Sequence, residues 1–528
     1  MARLGIDFGT TNTVAVLHDR GMFSVVHHAA KTQAGTVVQE VYPSAILVDR
    51  AGGRTWYGIE ADRRFGQTGG RDDVFIPSLK RQLRSYAEGR SVELGEPAGQ
   101  GSDGSLDMAG LLTGFLRSLA ASIRRSQGFA EDERLECVIT WPANANGAQR
   151  HITRRCFRQA GFEVIDTLNE PTASAIELAD CLTAGRGSEA SPEPQGVAVF
   201  DLGGGTFDAS VVWIDGNDFQ VLASSGIGDL GGDDFDRALL DMFLEKLGIA
   251  DRSLHRLTRH ALLRQARSQK ETISAGMVRS LFLNPADFGL PGRPVTIPVD
   301  RFEDRIRPRI AEAIATLESV IKAAAAREPR LRPNRMLIYL VGGSSKLPLV
   351  ARMVAERFPS SRVILTDKPF SSVAMGAAIC AAERVTYRDV FARHFGVVRL
   401  RDHGRAETFD TIFPAGTPIP RRGEPPLEKQ SWYHPQHNIG HLRYLECTAL
   451  GPDGLPAGDV RAWSDILFPY DPSQPLHAPA DKNDIVATDR FSAEAVCEIY
   501  RCDADGVITV ELRRPARRDS RVYEIYRD

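Results

Sequence analysis

Phe200-Asp-Leu-Gly-Gly-Gly-Thr-Phe-Asp208 is the stretch whose reading decides the fold. It follows Gly196-Val-Ala-Val-Phe200, an apolar run that reads as a buried strand. Three consecutive glycines forbid a helix and allow a tight hairpin with positive φ angles. With no side chains there, the backbone N–H groups of Gly203, Gly204 and Gly205 can approach an anion closely. Asp201 and Asp208 flank that anion site. Such a pair repels a phosphate unless a divalent cation sits between them, so the arrangement asks for a metal–nucleotide complex.

A related hairpin opens the chain. Leu4-Gly-Ile-Asp7-Phe-Gly9-Thr10-Thr11-Asn12 has the same grammar: apolar strand, Asp, Gly, small hydroxyl residues, then a second strand, Val14-Ala-Val-Leu17. The two lie roughly two hundred residues apart, about a domain's length, and read as one device used twice. Two phosphate hairpins from two halves would face each other across a cleft. A glycine-rich turn alone reads more readily as a plain β-hairpin; two of them, each with an Asp at its mouth, do not.

Composition bounds the rest. The 528 residues are too many for one core. Hydrophobic residues at 42% and charged residues at 25% fit a globular protein, and a net charge of −3 with no basic tail argues against nucleic acid as a partner. Seven cysteines without a C-x-x-C argue for reduced thiols in a cytoplasm. No apolar signal segment precedes the first strand and no run is long enough to span a membrane, so no membrane role is expected.

Along the chain, Ile76-Pro-Ser-Leu-Lys80-Arg-Gln-Leu-Arg84 is a short basic segment, residues 86–106 read as a surface loop, and Ala109–Arg125 as an amphipathic helix. Leu135-Glu-Cys-Val-Ile-Thr-Trp-Pro142 is a strand ended by proline, and Gln149–Gly161 a basic helix. Pro171 after Glu170 suits the first turn of a helix, and residues 183–195 read as a flexible connection between two halves. Asp229–Leu247 starts with Gly231 and Gly232 and turns helical, with Phe235, Leu239, Leu240, Phe243 and Leu244 on one face. Met336–Val341 is an apolar strand; Gly342-Gly343-Ser344 then leads to a helix near Pro348. From about Tyr387 prolines become frequent and helical periodicity is lost, which predicts an all-β domain ending in a hairpin with an Asp-Gly turn at Gly506.

Gly5-Ile-Asp-Phe-Gly-Thr-Thr-Asn12, Asn169-Glu-Pro-Thr-Ala173, Asp201-Leu-Gly-Gly-Gly-Thr-Phe-Asp208, Leu230-Gly-Gly-Asp-Asp-Phe-Asp236 and Leu340-Val-Gly-Gly-Ser344 resemble the motifs of the DnaK-type seventy-kilodalton heat-shock chaperones, in that family's order and about its spacing. The resemblance covers residues 1 to about 384 and implies an α/β fold: a two-lobed actin-like ATPase domain over 1–384 with duplicated phosphate hairpins. An all-β, sandwich-like domain over 385–528 would then bind a substrate or partner.

It implies ATP and Mg2+ as ligands and admits K+. Gly9, Thr10, Thr11, Asn12, Gly203, Gly204, Gly205, Thr206, Gly231 and Gly232 would hold phosphates. Lys270, Ser274, Gly342, Gly343 and Ser344 would hold the nucleoside. Asp7, Asp201 and Glu170 would hold hydrated magnesium; Lys80, Glu170, Thr206 and Asp208 would act in hydrolysis. Pro142 and Arg150 match positions that relay nucleotide state between domains, where the residues alone favour strand termination and a surface arginine.

The departures are specific. In the adenosine-pocket helix, Lys270 and Ser274 are kept, but the acid and base at Arg267 and Glu271 are exchanged, and Phe370-Ser371 replace an acidic pair. The linker Arg384–Phe391 lacks the family's leucines, and no long helical region follows to act as a lid. Asp166 stands where many members carry an arginine that meets a J-domain cochaperone, which counts against a standard J-protein partner; a nucleotide-exchange factor is allowed.

The resemblance therefore implies ATP-controlled binding of unfolded peptide or a client protein. The alternative is a nucleotide-gated module for one dedicated partner; a small-molecule kinase of the same superfamily fits the motifs less well. His434, His437 and His441 have a spacing that admits a metal, but their Pro- and Gly-rich setting reads as an exposed loop. Arg513-Arg514 and Arg517-Arg518 read as a solvated edge that discourages sheet pairing.

Overall fold

The computed structural model describes all residues except 1, 33–34, 50–51, 69–72, 83–106, 144, 146, 185–194, 277, 334–335, 402–405, 472, 477–479, 516–517 and 526–528. The loop expected over 86–106, nearly all of the 183–195 connection, and Arg517 lie outside the described residues. The chain divides into two compact units, one taking the described residues before 145 with Thr153–Thr386, the other Ala145–Ile152 with Tyr387–Asp528.

The first unit is α/β and is built on two main sheets, with smaller sheets of two and three strands beside them. The strands of one are β1 (Arg3–Phe8), β2 (Asn12–Asp19), β3 (Met22–Val25), β4 (Leu135–Trp141) and β5 (Phe162–Asn169), in the order β5-β4-β1-β2-β3. The strands of the other are β6 (Gln195–Leu202), β7 (Phe207–Asp215), β8 (Asp218–Ile227), β9 (Leu337–Val341) and β10 (Arg362–Leu365), in the order β10-β9-β6-β7-β8. In each, an antiparallel hairpin is extended by parallel strands on the side of its first member. The grammar shared by the two motifs is thus a shared topology, with β6–β7 in the place of β1–β2. The central strands are largely apolar, because parallel strands are covered on both faces: Leu4, Ile6 and Phe8, and Val197 through Phe200, are buried.

Helices fix these sheets. Named in chain order they are α1 (Glu170–Ala184), α2 (Gly232–Leu247), α3 (Arg256–Ser274), α4 (Val299–Arg327) and α5 (Ser372–Ala381). On α4, Phe302, Ile306, Ile310, Ala313, Leu317, Ile321 and Ala324 recur every three or four residues and join the core of the second sheet. The alanine-rich α5 lies against β1 and α1 so closely that a Cβ on Gly5 would collide with its backbone at Ala374 and Ala378, and one on Gly376 with the backbone of Ala173. Through α5, β1, which carries Asp7, is held in fixed relation to α1, which begins at Glu170.

The second unit is all-β. Strands β11 (His394–Arg401), β12 (Ala406–Phe413), β13 (Leu427–Tyr433), β14 (Ile439–Leu450), β15 (Pro456–Pro469), β16 (Val496–Cys502), β17 (Ile508–Arg514) and β18 (Asp519–Glu524) form two four-stranded antiparallel sheets, β12-β11-β14-β15 and β13-β16-β17-β18. Side chains of both, among them Phe395, Val397, Tyr444, Phe468, Tyr500, Val510 and Leu512, share one core, which makes this a sandwich. The Asp-Gly turn stands between β16 and β17, with Gly506 at φ +74°.

Two surface expectations are corrected here. Arg514 is not a solvated edge residue: β17 is paired on both sides, and the guanidinium is buried, donating to Asp519 and to the carbonyls of Pro469, Asp471 and Gln474. His441 is not in a loop but on β14, with Nε2 3.1 Å from Asp465. His434 Nδ1 meets the Ser492 carbonyl, and no metal-binding trio forms among the described residues.

Candidate functional site

The glycine hairpin joins β6 to β7, closed by the Gly203 N–H donating to the Thr206 carbonyl at 3.0 Å. The expected positive φ angles are not found: none of Gly203, Gly204 and Gly205 lies in that region. The glycines are needed for close approach instead. A Cβ on Gly204 would strike Thr11 Oγ1, and one on Gly205 would strike the Thr10 methyl and come within 2.6 Å of Arg81 Nε. A Cβ on Gly231 would come within 2.6 Å of the Gly204 backbone. Both hairpins and the turn before α2 therefore meet at van der Waals contact, which side chains would prevent.

They frame a cavity of about 530 Å³. Asp7, Gly9, Thr10, Thr11, Asn12, Lys80, Glu170, Asp201, Gly203, Gly204, Thr206, Gly232, Lys270, Ser274, Gly342, Gly343 and Ser344 all line it. Gly205 and Gly231 stand directly behind it, packed as described. Asp208 is buried beside it, opposite Asp201 in the β6–β7 ladder.

Four carboxylates converge at one end. Asp7 lies at the end of β1, Glu170 at the start of α1, and Asp201 and Asp208 on the hairpin. Burial, then the charge of Glu170, pushes Asp7 up to about 7, against the pull of Lys80 and a 3.3 Å hydrogen bond from Thr140. Burial, then Glu170, Asp208 and Asp7, raises Asp201 well above the carboxylate range. Lys80 is the buried cation among them and pairs with Glu170. Burial lowers the affinity of its amine for a proton, but Glu170, Asp7 and Asp208 together outweigh burial and hold it above the ordinary lysine value.

This negative field fits a hydrated cation with a polyphosphate. Among the described residues no three His, Cys, Asp or Glu side chains converge tightly enough to ligate a metal directly, so an ion here would be held through its water shell. Among the buried polar groups without a partner among the described residues are the Asn169 side-chain amide, 1% exposed, and Thr11 Oγ1. Both belong to the site's own segments and match what water or phosphate oxygens would accept or donate.

The other end is built by α2, α3 and the Gly342–Lys346 turn. Arg267 donates to Asp233 at 2.7 Å and to Asp236 at 3.0 Å; Lys270 sits 2.6 Å from Asp236 and donates to the Gly232 carbonyl at 2.8 Å. Arg267 is thus engaged by two acids of α2, and Glu271, one residue beyond Lys270, lines the cavity. Ser344 Oγ donates to the Gly203 carbonyl at 2.9 Å, tying this turn to the glycine hairpin. Gly342 does have positive φ, +81°. Arg81 donates to the Gly205 carbonyl at 3.1 Å and to Asp234 at 3.2 Å, fastening the Lys80 segment to the hairpin.

Pro142 is buried just after β4, and Arg150 lies on the helix Gly147–Gln159, its Nε donating to the Ala145 carbonyl at 3.2 Å. Neither is brought to the cavity, and Arg150 falls in the segment grouped with the second unit. Sequence reasoning missed the roles of Arg81, Asn169 and Asp236. Their partners stand 31 or more residues away in the chain or are absent, so no local pattern marks them.

The family model for the Hsp70 protein matches residues 118–391. The chain is 32% identical over 392 residues to the chaperone protein HscA of Escherichia coli O17:K52:H18 (strain UMN026 / ExPEC). It is 32% identical over 393 residues to the HscA of Citrobacter koseri and 33% over 394 residues to that of Klebsiella pneumoniae. Each alignment covers 71% of this chain and 57% of the relative, so the chain spans little more than half the length of the curated relatives it matches. The chain belongs to the Hsp70 family, and its α/β first unit carries the actin-like fold that the repeated sheets display.

Proposed function

We propose that this protein is an ATP-driven chaperone in which residues 1–384 hydrolyse ATP and residues 385–528 bind peptide or client protein. The observation that carries the reading is the cavity itself. Two duplicated hairpins present Thr10, Thr11, Thr206 and glycine backbone, and a four-carboxylate cluster with one buried lysine stands beneath them. A phosphate-free ligand gives no reason for that many buried charges.

Asp7, Asp201 and Glu170 would hold Mg2+ through its waters, and the ion would neutralise charge on the β- and γ-phosphates. Phosphoryl transfer to water needs positioning and charge neutralisation more than covalent help. Lys80 is the protein's own cation there, kept protonated by the acids around it. Asp208 accepts a hydrogen bond from the attacking water and orients it, and Thr206 donates to the γ-phosphate. K+ beside the phosphates fits the same negative field.

The sandwich offers its strands and loops as the client surface; a nucleotide-exchange factor is the expected accessory partner. Pro142 and Arg150 are the proposed relay. Among the described residues no helix is long and apolar enough to cross a membrane, and reduced, scattered cysteines favour a cytoplasmic setting. The direct test is phosphate release from Mg-ATP by the purified chain and by Asp208→Asn. A loss of about 100-fold or more is expected; undiminished hydrolysis removes Asp208 from the mechanism.

A further inference from the structure

Phe370 precedes α5 and is 49% exposed, although it is a large aromatic side chain on the wall of the cavity. It does not lie loosely there. A Cβ on Gly343 would come within 3.0 Å of Phe370 Cε1, so the ring rests against the glycine backbone of the Gly342–Lys346 turn. The Lys346 ammonium lies 5.4 Å from the ring centroid, within cation–π range, so charge as well as packing holds the ring. Leu347, Leu365 and Pro369 line the same cavity and carry no hydrogen-bonding side-chain group, and Leu365 is likewise exposed. The one arginine near the nucleoside end, Arg267, is engaged by Asp233 and Asp236. The cavity thus pairs a charged end with an aromatic face set among Leu347, Leu365 and Pro369, while Glu271, Ser274 and Lys346 line the same cavity.

We propose that Phe370 is the stacking platform for the base of a nucleoside triphosphate in this cavity, and that the site holds the base by its flat face more than by its edges. The inference rests on the nucleotide reading above. Aromatic stacking is tolerant of base identity because every base has a π-face. Adenine and guanine nucleotides are therefore held with affinities within about tenfold of each other.

The experiment is a titration of the full chain, with Mg2+, by ATP, GTP and inorganic tripolyphosphate, for the wild type, Phe370→Ala and Phe370→Trp. Phe370 is half exposed, so neither substitution empties a core. Phe370→Ala is expected to weaken ATP and GTP alike, by roughly 5- to 50-fold. Phe370→Trp is expected to keep or improve both, and tripolyphosphate binding is expected to stay unchanged across all three proteins. The proposal is overturned if the wild type binds ATP but Phe370→Ala binds it equally well, or if ATP is preferred over GTP by more than about 100-fold. If the wild type binds neither triphosphate nor tripolyphosphate, the nucleotide reading fails with it.

Discussion

Asp201 and Asp208 stand directly opposite each other across the glycine hairpin, both buried. Like charges in that relation destabilise a ladder unless something positive answers them. Lys80 answers in part, and its own ion pair is with Glu170. The hairpin therefore carries an electrostatic cost in the free protein that a bound cation would offset, the trade expected of a functional site.

Asp201→Asn tests that trade. With burial and the neighbouring carboxylates Glu170, Asp208 and Asp7 all disfavouring its charged form, the nucleotide-free chain should melt at an equal or higher temperature after the change. The rise in melting temperature that Mg-ATP gives the wild type should largely disappear. Both are read in one thermal-shift series; a variant still stabilised fully by Mg-ATP would exclude Asp201 from the ion's shell.

Gly205→Ala probes the contact between the hairpins. The added methyl meets Thr10 and Arg81, so the hairpins must separate. Stability should fall by about 1–3 kcal/mol in denaturant unfolding, and ATP affinity with it. Gly216, whose absent Cβ would meet nothing within 4 Å, sits at φ +60° in the next turn and provides a control for strain without collision.

The first of these contacts shows where the sequence was legible. The Asp-Leu-Gly-Gly-Gly-Thr run foretold a hairpin because strand and turn are neighbours in the chain. It also suggested positive φ angles, which these glycines do not adopt; their contacts with Thr10 and Thr11 could not be read from it, because those residues reach the hairpin only after folding. The duplicated sheets were legible for the same local reason. The Arg267 network was not: the exchange with Glu271 could be seen, but that Asp233 and Asp236 would occupy the guanidinium depends on how α2 packs on α3. In the second unit, the Asp-Gly turn at Gly506 was readable, whereas Arg514 was misread because the carbonyls it meets lie 40 to 45 residues earlier, at the end of β15 and just beyond it.

His28 gives a pH dependence. Its ring is fully buried, with Nδ1 2.9 Å from Ser122 Oγ, and burial, then His27, lowers it from 6.5 to about 4. Below pH 6.5 the unfolded chain takes up a proton that the folded chain refuses. Stability is thus present above the unfolded value and lost as pH falls from 6.5 toward 4, by up to about 3 kcal/mol. His28→Gln should flatten that part of the stability–pH curve; an unchanged slope there would contradict the assignment.

Arg399 is the anchor of the second unit. It pairs with Glu498, which is fully buried, and with Asp410 at 2.5 Å, and lies over the Tyr433 ring. Arg399→Met leaves the Glu498 carboxylate uncompensated, and unfolding of the sandwich should become easier by about 3–5 kcal/mol. The double change Arg399→Met with Glu498→Gln should recover part of it; no recovery would mean that packing, not charge, sets the loss.

The central claim is that nucleotide controls client binding. The most direct measurement is fluorescence anisotropy of a labelled apolar peptide with the full chain, without nucleotide, with Mg-ADP and with Mg-ATP. The account expects tight binding without nucleotide and with ADP, and at least about tenfold weaker binding with ATP, a coupling of about 1.4 kcal/mol. Equal affinity in all three states, or no binding in any, would contradict it.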